Sequence, residues 1–585
     1  MRYDTLKFAL AAMACLSVIS FAAIPEMRVT TKNNQDPTVS GGGIFGGAQT
    51  MKYVQITNFV LTDPNNSRNN LTLTPEPAPS ESDSIRVRGN STAGIADKRP
   101  YRIKFDKKQG LFGKEKAKSW VLLANYYDQT LTLNAIAFRL GQKMGLAYTP
   151  SSQHVNLYIN NNYKGIYQLT EQIQVNPGRV DIDTLKGFLV EFDYHDAASD
   201  EVKFTAAKYS LPVFIKSPEV TSNFNASNTK IKWVKDTIDL LTNKMSESGF
   251  PTNGYRDMID LESYAKYVLI QQLLDNFDFN SKVPDQSQYG LPGSNYAYKD
   301  VGTRIYAGPL WDFDLAAGVT SPRAMSFNPH YTSTTEPIKP KHAFYQRLWD
   351  DPVFLAKFKK LWDKHKSDFD AIPAFIDSLS NALKDNVANN KCAIPSNLLG
   401  GATTLTTQTY TTEVGKLKDW WGKRVTFFGS EITKMNIDTS KDIEQTQPSS
   451  SSRPSSSSNQ PSSSSSSQLS SSSSSPSSSS RLSSSSSRSS SSSGGTTPIF
   501  GHSQPQQHGL FVRGRIVNIY TQEPSSVKLS VFDLRGKTLF SGNLGTGSNI
   551  TWNSEGLGIS KVLIVVVEAK GESGRTYKFS GRILP

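Results

Sequence analysis

Two short stretches of the chain set carboxylates among large apolar side chains. The first is Leu273-Leu274-Asp275-Asn276-Phe277-Asp278-Phe279-Asn280. The second is Gly308-Pro309-Leu310-Trp311-Asp312-Phe313-Asp314-Leu315-Ala316-Ala317-Gly318, and Asp278 and Asp312 are 34 residues apart. An unpaired carboxylate is costly to bury, so such groups meet a cation or a hydrogen-bond network. Hard oxygen ligands suit Mg²⁺ or Mn²⁺ held together with phosphates. The plainer alternative is that Asp275 and Asp278 cap a helix end and that Asp312 and Asp314 brace a turn. For one aspartate alone the plainer alternative is preferable, whereas two clusters in this order favour a site.

Upstream, Ser84 to Arg88 reads as a strand that enters the loop Gly89-Asn90-Ser91-Thr92-Ala93-Gly94. In the next strand, Tyr101, Ile103 and Phe105 face one side, while Arg102, Lys104 and Asp106 face the other. A glycine loop followed by a strand lysine can set backbone and ammonium over phosphates. Taken alone, a glycine turn between strands is more often only a hairpin.

The elements that must position these groups follow from periodicity. A helix is expected from about Asp128 to Met144, with Asp128 as N-cap and Gly145 as stop. Residues 154–173 read as a hairpin turning at Asn160-Asn161-Asn162, and 187–195 as a strand carrying Glu191. Helices are expected at about 227–246 and 260–275, then a strand at 295–299. Strands, one helix and a hairpin suit the small lobe of a kinase-like fold, because a pure β-barrel would not need the helix.

At 585 residues the chain exceeds one ordinary domain. Residues 1–23 have the pattern of a secretory signal: Arg2 and Lys7, then an apolar run from Phe8 to Phe21 that is short for a spanning helix. No other segment is apolar enough to cross a membrane. Cleavage would leave Cys392 alone, which excludes an internal disulfide and a thiolate metal cluster. Residues 24–50 are polar and glycine-rich and read as a flexible start, and 51–435 as the main domain. Residues 436–510 read as a disordered linker. Its nearly all-serine tract, 448–494, bears too few apolar groups to offset chain entropy, and its reach is on the order of 40 Å. Residues 511–585 read as a small all-β sandwich, a sorting, anchoring or accessory module. The net charge of +13 fits a basic soluble surface or attraction to nucleotides or an acidic envelope. No nucleic-acid-binding signature accompanies it, and no nucleic acid partner is expected.

The series RGNST (88–92), KRPYRIKF (98–105), WVLLANYYDQTLTLNAIAFRLG (120–141), YKGIYQLTEQI (163–173), GFLVEFD (187–193), DNFDFN (275–280), NYAYKD (295–300) and GPLWDFDLAAG (308–318) resembles the CotH (spore coat protein H) kinase-like family, as do 344–362 and WWGKRVTFF (420–428). The resemblance spans about residues 50–435. It implies an α+β, atypical bilobal protein-kinase-like domain that uses ATP with Mg²⁺ or Mn²⁺ to phosphorylate Ser or Thr hydroxyls of a protein substrate. It further implies that Lys104 contacts the nucleotide phosphates, with Arg88, Gly89, Asn90 and Ser91 beside them. Glu171 and Gln172 would face the adenine, Asp278 would orient the acceptor hydroxyl, and Asp312 would hold metal with Asp314 or Asn276. Departures are an extra loop at 281–294, Gln272 where relatives carry a glutamate, and the lack of HRD and DFG motifs.

A secreted protein meets little ATP, so a second class of function competes: a non-catalytic surface or matrix component that binds envelope polysaccharide or surface proteins. Retention of Lys104, Asp278 and Asp312 favours activity. A metal-dependent hydrolase ranks last, because the seven histidines show no ligand spacing. If the domain is active, its own tethered serines are an expected substrate at high effective concentration.

Overall fold

The computed structural model describes residues 23–40, 50–74, 83–89, 91–194, 202–219, 229–280, 292–319 and 330–445, and then 509–513, 516–532, 538–553, 563–571 and 576–583. The signal-like segment, Asn90, most of the extra loop and the serine tract lie outside the described residues. The chain is mixed α+β and falls into two units.

In the first unit an eight-stranded sheet closes on itself. Glu26–Thr31 pairs in parallel with Gln153–Ile159 and antiparallel with Val54–Thr62. The ring continues through Asn162–Glu171, Ala117–Leu123, Tyr101–Gln109 and Ser84–Val87 back to Val54–Thr62, on which Leu71–Leu73 hangs as a side strand. Seven strands thus form a barrel. Strand alternation fills it: Val29, Ile56, Ile85, Val87, Ile103, Phe105, Trp120, Leu122 and Leu157 point inward. Val121 and Leu123, one residue out of phase, join a second core outside. Glu26–Thr31 overturns the expectation of a flexible start at 24–50. Its pattern Met27-Arg28-Val29 buries alternate residues, and neighbours on both sides satisfy its backbone.

The hairpin turns where expected, with Asn160 and Asn161 both at positive φ (52° and 64°), the geometry that favours asparagine in a two-residue turn. The helix after the barrel runs Leu133–Lys143. Its N-cap position is Thr132 rather than Asp128, but the Asp128 carboxylate, five residues before Leu133, accepts the amides of Thr132 and Leu133 at 2.8 Å each. Gly145, at φ 67°, ends it. The helix is buried on nearly every side, and Ile136, Phe138 and Leu140 are fully buried, worth about 1.5–3 kcal/mol each.

The second core holds helices Thr229–Ser246, Leu261–Leu273, Pro352–Asp370, Ile372–Leu383 and Thr407–Lys434. A second sheet lies among them, in the order Val202–Thr205, Pro212–Ser217, Phe188–Phe192, Asn295–Lys299, Ile305–Ala307. The folded unit continues past 435. The Gln445 side chain accepts the Leu261 amide at 2.8 Å and donates to the Arg256 carbonyl at 2.7 Å, and Asp442 pairs with Lys357 at 2.8 Å. The folded unit thus includes residues before 51 and after 435.

In the second unit Gly509–Arg513, Ile516–Phe532, Thr538–Asn553, Leu563–Gly571 and Thr576–Ile583 pair antiparallel. Val527, Leu529, Val531, Val565 and Val567 alternate into one small core. Among the described residues the strands belong to one five-stranded sheet.

Candidate active site

The two acidic stretches meet. Leu261–Leu273 ends at Leu274, Asp275 takes φ 45°, and the chain re-enters a single helical turn, Phe277–Asn280. Loop 308–318 zips onto it. The Ala317 amide donates to the Leu274 carbonyl at 2.7 Å, the Phe277 amide to the Leu315 carbonyl at 3.3 Å, and the Asn276 side-chain amide to the Asp312 carbonyl at 3.2 Å. Asp312 itself sits at φ 64°, a conformation that costs an L residue about 1–3 kcal/mol and persists where its surroundings enforce it. The Asn134 side chain from Leu133–Lys143 enforces it by accepting the Phe313 amide at 2.9 Å.

A third wall comes from the second sheet and the end of the extra loop. Ser294 donates its hydroxyl to Asp312 at 3.2 Å and its amide to Asp193 at 3.1 Å, while the Gly293 amide donates to the Asp278 carbonyl at 2.9 Å. Tyr194 faces Asp278, Asp193 and Asp312. The barrel supplies the fourth wall. Arg88 lies over Trp311, 5.4 Å from the ring centre, and feels Asp312 and Glu191. Glu191 pairs with Lys216 at 2.8 Å. The Tyr127 hydroxyl is buried without a hydrogen bond among the described residues, nearest to one with Ser91, and it senses Asp314 and Asp278.

The electrostatics are those of crowded carboxylates. Burial pushes Asp314 well above the ordinary carboxylate range, and Asp312, Asp278 and Asp128 push it further. Burial and these neighbouring carboxylates thus favour the protonated form of Asp314. Asp128 adds charge but is otherwise spent, with both oxygens capping backbone amides. Such a cluster is what a divalent cation relieves. Among the described residues no three His, Cys, Asp or Glu side chains stand close enough to hold an ion alone. Asp312 and Asp314 with the Asn276 amide thus fit a cation that takes its remaining ligands from phosphate and water, the usual state of Mg²⁺.

Of the residues singled out in the sequence, the fold gathers Arg88, Gly89, Ser91, Asn276, Asp278, Asp312 and Asp314 around this cluster. Asn90 is outside the described residues. Gly89, at φ 97°, turns the chain into the one-turn helix Ser91–Ile95, where a plain strand–loop–strand was expected. Lys104 is exposed and pairs with Ser84 and Ser119, three residues along the strand from the Arg88 end, and makes no contact with the cluster. The Glu171 carboxylate is taken by the Ser151 amide and hydroxyl at 2.6 and 2.7 Å, and the Gln172 carbonyl by Arg179 at 3.1 Å. The buried lysine of the region is Lys98, held by the Ala124 and Ile166 carbonyls at 2.7 and 2.5 Å and pushed down to about 8 by burial. Tyr127, Tyr194, Ser294 and Lys216 were not singled out. Tyr127 had a sequence signal, lying inside the quoted stretch 120–141, but apolar periodicity hides it.

A family model for the CotH kinase protein matches residues 85–428, more than half of the chain. The chain belongs to the CotH kinase family. The matched span begins inside the strand Ser84–Val87, just before Arg88, and ends in the helix Thr407–Lys434, so it contains every residue named around the cluster. No curated protein sequence matches the chain. Among the described residues no helix of this CotH kinase family member is long and apolar enough to cross a membrane.

Proposed function

We propose that this CotH kinase family member is an exported, ATP-dependent protein kinase of bilobal architecture, the barrel serving as the smaller lobe. The observation that carries the reading is the meeting of the two acidic stretches, zipped together by the Ala317–Leu274 and Asn276–Asp312 hydrogen bonds, beside Arg88 over Trp311. In the reaction an acceptor Ser or Thr oxygen forms a bond to the γ-phosphorus of ATP, the bond from that phosphorus to the bridging oxygen breaks, and ADP leaves. Asp278 orients the hydroxyl and receives its proton as the bond forms. Asp312, Asp314 and Asn276 would hold Mg²⁺ or Mn²⁺, which neutralises phosphate charge when bound. Arg88, rather than Lys104, supplies the fixed positive charge over the phosphates, with Gly89 and Ser91 beside it. The side chains of Glu171 and Gln172 are assigned no nucleotide contact, because Glu171 is committed to Ser151. Catalysis is then mainly positioning and charge neutralisation. Residues 1–23 would direct export.

The test is incubation of the full chain with labelled ATP, Mg²⁺ or Mn²⁺ and a serine-rich acceptor, beside Asp278→Ala and Asp312→Ala. Transfer by the parent that both variants lose supports the assignment. No transfer and no nucleotide-induced rise in Tm would leave the domain as a non-catalytic envelope scaffold.

A further inference from the structure

Three arginines lie together on the outer face of the barrel. Strand register sets Arg86 directly opposite Arg102, and Arg88 follows Arg86 on the same face, because the intervening Val87 points into the barrel. Side chains in such positions are about 5 Å apart across strands and about 7 Å apart along one. Like charges directly opposed destabilise a sheet unless something answers them. Here little does. Arg102 donates to the Ser119 hydroxyl at 3.0 Å, Arg86 stacks 5.1 Å over Tyr53, and Arg88 covers Trp311. Among the described residues none of the three has a carboxylate within 4.0 Å, Glu219 and Asp312 acting only from farther off. The Nε atoms of Arg86 and Arg102 are buried without a hydrogen-bond partner. The row is continuous with the acidic cluster through Arg88.

We infer that Arg86 and Arg102 extend Arg88 into a guanidinium track that holds the polyphosphate chain of the nucleotide, with its terminal phosphoryl at Asp312. This rests on the kinase reading and adds to it. Guanidinium forks match phosphate oxygens in pairs, and half-buried cations left without carboxylates are poised for an anion that brings its own charge. Continuity with Asp312 favours a nucleotide tail over an acidic peptide, which would need no contact with the acid cluster.

The experiment is calorimetry on the full chain with ATP, sodium tripolyphosphate, adenosine and an acidic peptide, each with and without Mg²⁺, for the parent, Arg86→Gln, Arg102→Gln and the double variant. Each single change is expected to weaken ATP and tripolyphosphate by about tenfold, the worth of one charged hydrogen bond, and to leave adenosine unchanged. Should the double variant misfold by circular dichroism, Arg86→Lys with Arg102→Lys keeps the charge and removes the fork, and should still weaken both phosphate ligands. Unchanged ATP and tripolyphosphate affinity overturns the track, as does weakening confined to the acidic peptide. The two readings separate cleanly. A parent that binds tripolyphosphate through these arginines yet transfers no phosphate refutes the kinase alone. A parent that transfers phosphate while the double variant keeps its KM for ATP refutes the track alone. A parent that binds neither ATP nor tripolyphosphate refutes both.

Discussion

Arg424 should be the most costly single side chain to remove outside the acid cluster. It is fully buried in Thr407–Lys434 and points its guanidinium at four carbonyl oxygens: Gln272 at 2.6 Å, Leu273 at 3.3 Å, Thr334 at 3.2 Å and Glu336 at 2.6 Å. The first two end the helix Leu261–Leu273, so the cation also sits at the negative end of that helix dipole. A hydrogen bond from a charged donor is worth about 1.5–3 kcal/mol. The four share one group and will not add fully, and truncation also strands buried carbonyls. Arg424→Ala is therefore expected to lose about 3–5 kcal/mol, comparable to breaking a buried ion pair. Arg424→Lys keeps the charge but cannot fork to four acceptors, and should lose roughly 2 kcal/mol. The assay is urea unfolding of the full chain followed by tryptophan fluorescence, since Trp420 and Trp421 adjoin the arginine, with phosphotransfer measured beside it. Activity should fall more than stability in Arg424→Lys, because Gln272 and Leu273 lead straight into Asn276 and Asp278. An Arg424→Ala loss below about 1 kcal/mol would refute the reasoning, and a lysine variant as stable as the parent would refute the part that depends on the fork.

Further outcomes are expected. Gly318→Ala should cost several kcal/mol in denaturant titration, since Gly318 has φ 80° and an added Cβ would meet the Ser333 carbonyl oxygen at 2.5 Å. Lys104→Ala should leave both stability and phosphotransfer near parental values, because the side chain is exposed and touches nothing in the cluster. Burial holds the His154 imidazole down at about 4, so the unfolded chain takes up its proton first as pH falls. Its contribution is complete above pH 6.5 and declines by about 3 kcal/mol towards pH 4, visible as acid unfolding that flattens in His154→Asn. Asp314 runs the other way. Its raised folded value means that the metal-free protein loses stability as pH rises above the ordinary carboxylate range, and Asp314→Asn or saturating Mg²⁺ should remove that slope in thermal melts.

Much of the site was legible because carboxylates next to Trp311, Phe313, Phe277 and Phe279 stand out wherever they fall. The cation that answers them was not. Lys104 and Arg88 share a face and look equivalent in alternation, and only the strand's direction relative to loop 308–318 shows which end meets Asp312. Glu171 illustrates a second limit: its position at a strand end was readable, but its commitment to Ser151 depends on a turn 20 residues away. The helices read at about 128–144, 227–246 and 260–275 lie within about five residues of Leu133–Lys143, Thr229–Ser246 and Leu261–Leu273, because 3.6-residue periodicity is local, whereas Pro352–Asp370, Ile372–Leu383 and Thr407–Lys434 were not read as helices. The start of the domain was missed because a six-residue strand with charged Glu26 and Arg28 looks polar until two neighbours flank it.

That strand has a consequence for how the molecule is made. Glu26–Thr31 leads the described chain, yet its parallel partner, Gln153–Ile159, follows more than 120 residues later. Ring closure must wait for synthesis and arrangement of every intervening strand. Closing so long a loop carries an entropic cost before any pairing offsets it, which slows folding. Until then the edges of Val54–Thr62 and Gln153–Ile159 stand open to other chains. Trimming the protein at residue 50 would make that exposed intermediate permanent, so aggregation, rather than simple loss of activity, is the expected behaviour of such a fragment.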